Sequence, residues 1–214
     1  RQVEKKMQDW FQNAKLGLFI HYGIYAVKGV AESWSFYNGN IPYDDYMKQL
    51  DGFTASKLDM DYWAELACDM GARYAVLTTK HHDGVALFDT AYSDLNTVKR
   101  TPAARDIIKE YTEAFRKKGI RIGLYYSLID WSHPDYPSVY QDGKIPECPE
   151  KSNPFCSPLD GKEYPERWQR FLQFDRNQLA ELLQNYGKID LLWFDGDWER
   201  SAAQWGLPEF KDYL

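Results

Sequence analysis

Residues Tyr74-Ala-Val-Leu-Thr-Thr-Lys-His-His-Asp-Gly84 are the clearest indication of the fold class of this 214-residue chain. A continuous apolar run leads into a cluster of charged and imidazole side chains. Such runs are typical of parallel strands that are covered on both faces. Before the run, Gly71 ends a segment with apolar residues at helical spacing, namely Trp63, Leu66, Ala67 and Met70. The sequence therefore predicts a helix that ends at a glycine, followed by a buried strand.

The same order of helix, glycine and apolar strand recurs twice further along the chain. A helical pattern stops at Gly119 before the apolar run 122–127, and another stops at Gly187 before the run 189–194. Upstream, residues 16–20 form a fourth run of the same kind. Four strands that alternate with three helices predict an α/β fold with a parallel sheet.

Polar residues gather where these predicted strands end. His21, His81, His82 and Asp195 each follow an apolar run, and His133 lies in the segment after the third strand. In parallel α/β folds, functional side chains lie at the carboxyl ends of the strands. These residues are therefore the first candidates for a functional site.

Asp195 is the strongest candidate for a catalytic carboxylate. An Asp-Gly pair is also a common turn former, but this one ends an apolar strand among aromatic residues that include Trp198. A carboxylate in an aromatic-lined pocket suits nucleophilic attack or charge stabilisation. Asp197 is its rival, ranked lower because it lies beyond the glycine turn.

The His81-His82 pair raises the question of a metal site, for which His21, Asp83 and Asp195 are conceivable further ligands. Neighbouring residues on a strand point to opposite faces, and the chain contains no His-x-His, His-Glu-x-x-His or Cys-x-x-Cys motif. Neutral imidazoles that donate and accept hydrogen bonds to hydroxyl groups fit better. No metal and no cofactor are therefore predicted.

The predicted loops supply further candidates. Segments 29–57 and 131–164 are long and rich in Gly, Pro, Asp and Tyr, and 94–101 is a shorter loop. Trp34 and Trp198 could stack on a sugar ring, although a loop tryptophan can equally serve as an anchor to the core. Glu32 could be a second carboxylate at the same mouth. Of Tyr125 and Tyr126, one should face inward and the other outward.

Composition limits the classes of function. The net charge of −6 argues against nucleic acid as a partner, and no apolar run reaches the roughly 18 residues of a membrane helix. Three cysteines are too few for a disulfide scaffold. Cys68 is predicted to be buried in a helix, whereas Cys148 and Cys156 could pair in an oxidising compartment.

Several motifs, taken in chain order, resemble the α-L-fucosidases of glycoside hydrolase family 29. They are Lys15-Leu-Gly-Leu-Phe-Ile-His-Tyr-Gly23, Glu32-Ser-Trp34, Thr78-Thr-Lys-His-His-Asp-Gly-Val85, Asn96-Thr-Val98 with Arg105-Asp106, Gly123-Leu-Tyr-Tyr-Ser127 and Leu192-Trp-Phe-Asp-Gly196. The resemblance spans roughly residues 9–199. It implies a (β/α)8 TIM-barrel-like catalytic domain, of which this chain covers about the first four βα units.

The resemblance also implies a function, namely a retaining exo-glycosidase that removes terminal α-L-fucose from oligosaccharides or glycoconjugates. Asp195 matches the nucleophile of the family. Residues that match those holding the fucose hydroxyls or lining the pocket are His21, Trp34, His81, His82 and Tyr125. A serine is inserted in the Glu-Trp element of the family, and Glu32 is the only acid/base candidate to test.

Alternatives remain open at this point. They are a related barrel hydrolase acting on another sugar, such as an α-L-galactoside, and a truncated form that binds fucose without turnover. A closed barrel takes about 250 residues, so residues 1–214 are expected to be a catalytic domain that is incomplete at its C-terminus. Its start at Arg1, without Met or an apolar leader, suggests a removed signal peptide or a trimmed sequence. A secreted, periplasmic or lysosomal location and a homo-oligomer are expected.

Overall fold

A computed structural model describes residues 9–136 and 165–206. Within these residues, a four-stranded parallel sheet contains β1 (Gly17–Ile20), β2 (Tyr74–Lys80), β3 (Arg121–Ser127) and β4 (Leu191–Asp195), in that spatial order. The long helices that alternate with the strands are α1 (Met60–Asp69), α2 (Ile107–Lys117) and α3 (Pro165–Asn185). The predicted α/β pattern and its order are confirmed.

The helix boundaries follow from local chemistry. The Asp59 side chain accepts a hydrogen bond from a backbone N–H in the first turn of α1, and Asp106 does the same for α2, which caps the exposed donors of each helix. The glycines predicted to end the three helices all have a positive φ: Gly71, Gly119 and Gly187. Tyr111 of α2 donates to the carbonyl oxygens of Ala75 and Gly123, which attaches this helix to β2 and β3.

The buried face of α1 differs from the prediction. Its buried side chains lie at i, i+4 and i+7: Met60, Ala64 and Ala67. Leu66 and Met70, which the spacing predicted to be buried, are 47% and 50% exposed, and Cys68 is also exposed. A stripe shifted by one position fits the helical period equally well, so spacing alone could not choose between the two faces.

The sheet curls strongly. The rings of Phe19 on β1 and Trp193 on β4 lie 5.1 Å apart at their centroids, although β2 and β3 separate these strands. A flat sheet with about 4.8 Å between strands would separate them by about 14 Å. Tyr125 of β3 also contacts Phe19, with ring centroids 6.0 Å apart. These three side chains therefore share a concave face, as the inside of a barrel requires.

A buried lysine lies on the other side of the sheet. Lys80 Nζ is 3.2 Å from Asp175 Oδ1 and 3.5 Å from Asp130 Oδ2. Tyr126 donates to Asp175 at 2.7 Å, and Lys80 lies over the Tyr126 ring. Burial raises the pKa of Asp175 to about 7. Since Tyr125 lies on the concave face and Tyr126 faces this cluster, the predicted alternation of the two tyrosines is confirmed.

Short helical turns occupy much of what was predicted to be loop. Segment 29–57 contains three of them: Trp34–Tyr37, Tyr43–Met47 and Gln49–Gly52. The aromatic side chains of Phe36, Tyr46 and Phe53 are buried, so this segment packs into the core. Further short helices are Ile24–Ala26, Thr97–Arg100, Asp197–Glu199 and Ala202–Trp205, and residues 9–14 are also helical.

Some predictions fall outside the described residues. The loop 131–164 is described only as far as residue 136, and Cys148 and Cys156 lie beyond that point. None of the described helices combines the length and apolar character that crossing a membrane requires.

Candidate active site

The side chains at the strand ends meet on the concave side of the sheet. The ring of His21, after β1, lies 5.1 Å from the Tyr125 ring and 5.6 Å from the His81 ring at their centroids. The rings of His81 and His82 lie 4.3 Å apart. Asp195, the last residue of β4, completes the cluster through Tyr125 and His82. The predicted gathering of these residues is therefore found.

The two neighbouring histidines face the same site because β2 has ended before them. The strand stops at Lys80, and a turn follows in which the Gly84 N–H donates to the His81 carbonyl oxygen. Gly84 has a φ of +77°, and a Cβ there would lie 2.4 Å from Asp130 Oδ1. Only glycine fits this turn, which directs both imidazoles towards β4.

Both oxygens of Asp195 are held in place. The Tyr125 hydroxyl donates to Oδ2 at 2.6 Å, and the Gly196 N–H donates to Oδ1 at 2.9 Å. Burial and the bond to Asp195 raise the pKa of the Tyr125 phenol, which keeps it protonated as a donor. The Asp195 side chain is 30% exposed. A fixed, accessible carboxylate at a strand end is the arrangement that a nucleophile needs.

His82 is fully buried and tied to β3. Its Nδ1 lies 2.5 Å from Ser127 Oγ, and its Nε2 lies 3.9 Å from Asp195 Oδ2. Burial lowers the pKa of His82 to about 4, although the Asp195 charge opposes that shift. The imidazole is therefore neutral near pH 7.

The surroundings of His81 and His21 differ from each other. His81 is buried, and its Nδ1 lies 2.5 Å from Ser33 Oγ. Burial lowers the pKa of His81 well below its usual value. Burial also lowers the pKa of His21, while the charges of Glu32 and Asp195 raise it. Glu32 is thus close enough to the cluster to act on it electrostatically.

An aromatic wall borders the cluster and consists of Trp34, Tyr37, Trp131 and Trp198. The rings of Trp34 and Trp198 stack with centroids 6.1 Å apart, and those of Tyr37 and Trp131 stack at 4.3 Å. Trp34 and Trp198 each contact the His82 ring edge-on at 5.6 Å. Trp198 remains 42% exposed, so the wall offers an apolar ring surface beside the histidines.

This arrangement belongs to a known protein family. A family model described as "Alpha-L-fucosidase" matches residues 1–214. The chain belongs to the α-L-fucosidase family. Tissue α-L-fucosidase of Rattus norvegicus is 34% identical over 228 residues, which cover 98% of this chain and 44% of that protein.

Solved α-L-fucosidase structures share the fold. Isoenzyme 1 from Paenibacillus thiaminolyticus has a TM-score of 0.79 and 37% identity over 98% of this chain and 48% of its own. A family 29 enzyme from Bacteroides thetaiotaomicron, trapped as a covalent intermediate with 2-fluoro-fucosyl fluoride, has a TM-score of 0.78 and 30% identity over 97% of this chain and 46% of its own. The predicted fold class, a partial (β/α)8-type barrel, is confirmed. The chain spans about half the length of these α-L-fucosidases.

Two candidates, His133 and Asp197, lie apart from the histidine cluster, as does a further carboxyl group, that of Glu199. His133 packs on Phe174, with ring centroids 4.4 Å apart, because its segment turns towards α3. The Asp197 side chain is exposed, and its backbone oxygen accepts from Trp205. Glu199 is buried, where it accepts hydrogen bonds from Trp131 and Tyr136, and burial raises its pKa.

Two clefts among the described residues also lie away from the cluster. One, of about 520 Å³, is lined by Arg105 and residues of α1 and α2, and another, of about 490 Å³, is lined by Tyr22, Phe53 and Trp63 among others. Neither contains a strand-end histidine. Beside the histidine cluster, Phe19 and Trp193 are 40% and 46% exposed, whereas His81 and His82 are buried.

One group of side chains in the described part of the chain has the composition of a metal site. Ligand atoms of His81, His82 and Asp195 all lie within 4.8 Å of one another. The Nδ1 atoms of both histidines contact serines, and both Asp195 oxygens accept hydrogen bonds. The predicted absence of a metal stays a prediction, and the chelation assay proposed below tests it.

Reasoning from the sequence missed Ser33, Ser127 and Trp131. Ser127 pairs in register with Asp195 across β3 and β4, so aligning the two strand ends could have found it. Trp131 follows Asp130 at a strand end and carried the same signal as Trp198. The resemblance marks Ser33 as an insertion in the Glu-Trp element, but its contact with His81 depends on the path of the first loop and is not visible in the sequence.

Proposed function

We propose that this chain provides the nucleophile and sugar-binding half of a retaining α-L-fucosidase. The observation that carries the proposal is the Asp195 carboxylate, held by Tyr125 and Gly196 at the end of β4. The covalent intermediate trapped in the Bacteroides thetaiotaomicron relative supports the same reaction here. The substrate would be a terminal α-L-fucose of an oligosaccharide or glycoconjugate.

The reaction would proceed by double displacement. An Asp195 oxygen attacks the anomeric carbon, and the bond from that carbon to the leaving oxygen breaks while an acid protonates that oxygen. The resulting glycosyl-enzyme is hydrolysed by water, which the same acid, now a base, deprotonates. The attacking carboxylate is not free to rotate away because each of its oxygens accepts a hydrogen bond.

The neutral histidines fit the recognition of hydroxyl groups. His21, His81 and His82 surround the face of Asp195, and burial favours their uncharged forms. Neutral imidazoles both donate and accept hydrogen bonds, whereas imidazolium groups would only donate. Phe19 and Trp193 add exposed apolar surface, which suits the methyl group that distinguishes fucose from galactose.

Glu32 remains the proposed acid/base of the described part of the chain. It is half-buried, and it precedes Ser33, which contacts His81. General acid catalysis requires a carboxyl group within reach of the leaving oxygen, at about 5–5.5 Å from the nucleophile in retaining enzymes. Glu199 instead supports the aromatic wall through Trp131.

The test is a substrate panel with the full-length protein. We expect release of para-nitrophenol from the aryl α-L-fucoside with much higher kcat/KM than from the α-L-galactoside, because the apolar surface favours the methyl group. Activity should persist after treatment with EDTA. A preference for the galactoside would favour the alternative substrate, binding without turnover would favour a fucose-binding form, and loss to EDTA with recovery on adding zinc would favour a metal site.

Replacing Tyr125 with Phe should lower kcat by about 10- to 100-fold, since hydrogen bonds to charged groups contribute about 1.5–3 kcal/mol. KM should change little, because the Tyr125 O–H donates to the Asp195 carboxylate and does not point towards the sugar. Steady-state kinetics on the aryl fucoside measures both constants. A large rise in KM with an unchanged kcat would instead make Tyr125 a sugar-binding residue.

The secreted, periplasmic or lysosomal location and the homo-oligomer stay predictions.

A further inference from the structure

The partners of the Ser127 hydroxyl determine which atom donates in each of its hydrogen bonds. Ser127 ends β3, is fully buried and lies in register with Asp195. Its Oγ donates to the Ile129 carbonyl oxygen at 2.5 Å and lies 2.5 Å from His82 Nδ1. At such separations, each pair of atoms must share a proton, because two unprotonated acceptors would repel.

This geometry determines which nitrogen of His82 carries the proton. A serine hydroxyl has one proton, and here the carbonyl oxygen of Ile129 takes it because a carbonyl can only accept. The hydrogen bond to His82 must then be donated by the ring, from Nδ1–H to Ser127 Oγ. In a neutral imidazole the other nitrogen, Nε2, is left unprotonated.

His82 Nε2 is consequently an acceptor without a donor. The atom is buried and has no hydrogen-bond partner among the described residues. It lies 3.9 Å from Asp195 Oδ2, which is also an acceptor and cannot satisfy it. Buried polar atoms without partners are uncommon in folded proteins. This one is covered in the free protein but lies beside the partly exposed Asp195 carboxylate, so a sugar hydroxyl bound at that carboxylate would supply the missing donor.

We propose that Ser127 is a positioning residue that holds His82 in its Nδ1–H tautomer, so that Nε2 accepts a hydrogen bond from one substrate hydroxyl beside Asp195. The ligand class, a sugar hydroxyl, rests on the proposed function; the tautomer does not. His81 differs, since no second hydrogen bond of Ser33 Oγ is found in the described residues, so the Ser33 proton can point either way.

The first experiment measures the tautomer in the unmodified full-length protein. Long-range proton–nitrogen NMR spectra of the protein labelled with ¹⁵N-histidine should show His82 protonated at Nδ1 alone, between about pH 6 and 8. The His82→Gln variant assigns the signal by its disappearance. Protonation at Nε2, or at both nitrogens in this range, would overturn the proposal without any Ser127 variant.

The second experiment removes the Ser127 hydroxyl group. Ser127→Ala should populate both tautomers of His82 and lower kcat/KM for the aryl α-L-fucoside about tenfold, as expected for a lost hydrogen bond. The same substitution is tested with a panel of monodeoxy aryl fucosides. For one compound, kcat/KM should fall by much less than tenfold, because that compound lacks the hydroxyl group that donates to Nε2. An equal loss for every compound would mean that Ser127 acts only structurally.

A matched control and a second outcome separate the two proposals. Ser132→Ala removes a hydroxyl that bonds Asp130 and not a histidine, so the His82 tautomer should remain Nδ1–H. If the protein hydrolyses no fucoside but His82 is Nδ1–H, the proposed function fails and the positioning of His82 stands. If the fucoside is hydrolysed and the tautomer is Nε2–H, the proposed function stands and the positioning of His82 by Ser127 fails.

Discussion

Replacing Asp195 with Gly is expected to lower kcat on the aryl α-L-fucoside by on the order of 10⁴-fold or more, as the loss of a nucleophile does in other enzymes. The carboxylate is positioned by Tyr125 and the Gly196 N–H. His82 Nε2, which lies 3.9 Å away, is an imidazole of the recognition cluster. The measurement is steady-state hydrolysis by the full-length protein.

Azide makes the role of Asp195 specific. In the glycine variant, azide can enter the vacated space and attack the anomeric carbon, forming a carbon–nitrogen bond as the aryloxide leaves. The product should be the β-L-fucosyl azide, inverted relative to the substrate, because azide replaces the nucleophile. An α-L-fucosyl azide would instead identify Asp195 as the acid/base, since azide would then have attacked a glycosyl-enzyme formed elsewhere.

Asp197 provides the matched control for this experiment. It is the next carboxylate along the sequence, two residues further on, but its side chain is exposed and its backbone oxygen accepts a hydrogen bond from Trp205. Asp197→Gly should therefore change kcat/KM by no more than a few-fold. A large loss in this variant, with normal activity in Asp195→Gly, would reverse the assignment of the nucleophile.

The strands and their order could be predicted because strands that are buried on both faces have a recognisable sequence pattern. Each run is continuously apolar and ends at polar residues, and parallel strands bring these ends together. The positions of His21, His82 and Asp195 follow from that rule alone. The curl that brings Phe19 against Trp193 does not, because strand twist and register are properties of the assembled sheet.

Side-chain directions were harder to infer than positions. Ser127 is recognisable as a strand-end residue, but its role depends on the carbonyl of Ile129, which sets the direction of the proton. The face of α1 was misplaced by one position because Leu66 and Met70 fit the helical period as well as Ala64 does. Only packing against the sheet distinguishes such faces, and the apolar spacing within a single helix does not show which face packs there.

The Lys80 cluster should dominate the stability of this half-barrel. Lys80→Met is expected to lower the free energy of unfolding by about 3–5 kcal/mol, because removing one partner leaves buried carboxylates without their counter-charge. The control is Lys117→Met, whose ion pair with Asp61 joins side chains that are 68% and 70% exposed; it should change stability by about 0–1 kcal/mol. Urea unfolding of the full-length protein measures both.

The pH dependence of this loss separates electrostatics from lost packing. Burial raises the pKa of folded Asp175 to about 7, above its value of about 3.9 in the unfolded chain. The folded state thus binds this proton more tightly, and the associated stability is present below about pH 4 and lost as the pH rises through 7. Without Lys80 the folded pKa should rise further, so the loss should continue to higher pH.

Lys80→Met should therefore be more harmful at pH 8 than at pH 5, by about 1–2 kcal/mol, since one pKa unit corresponds to about 1.4 kcal/mol. Adding Asp175→Asn should recover much of the loss at pH 8, because the amide carries no charge and its oxygen still accepts from Tyr126. If the single variant loses the same amount at both pH values, the lysine acts through its packing over the Tyr126 ring.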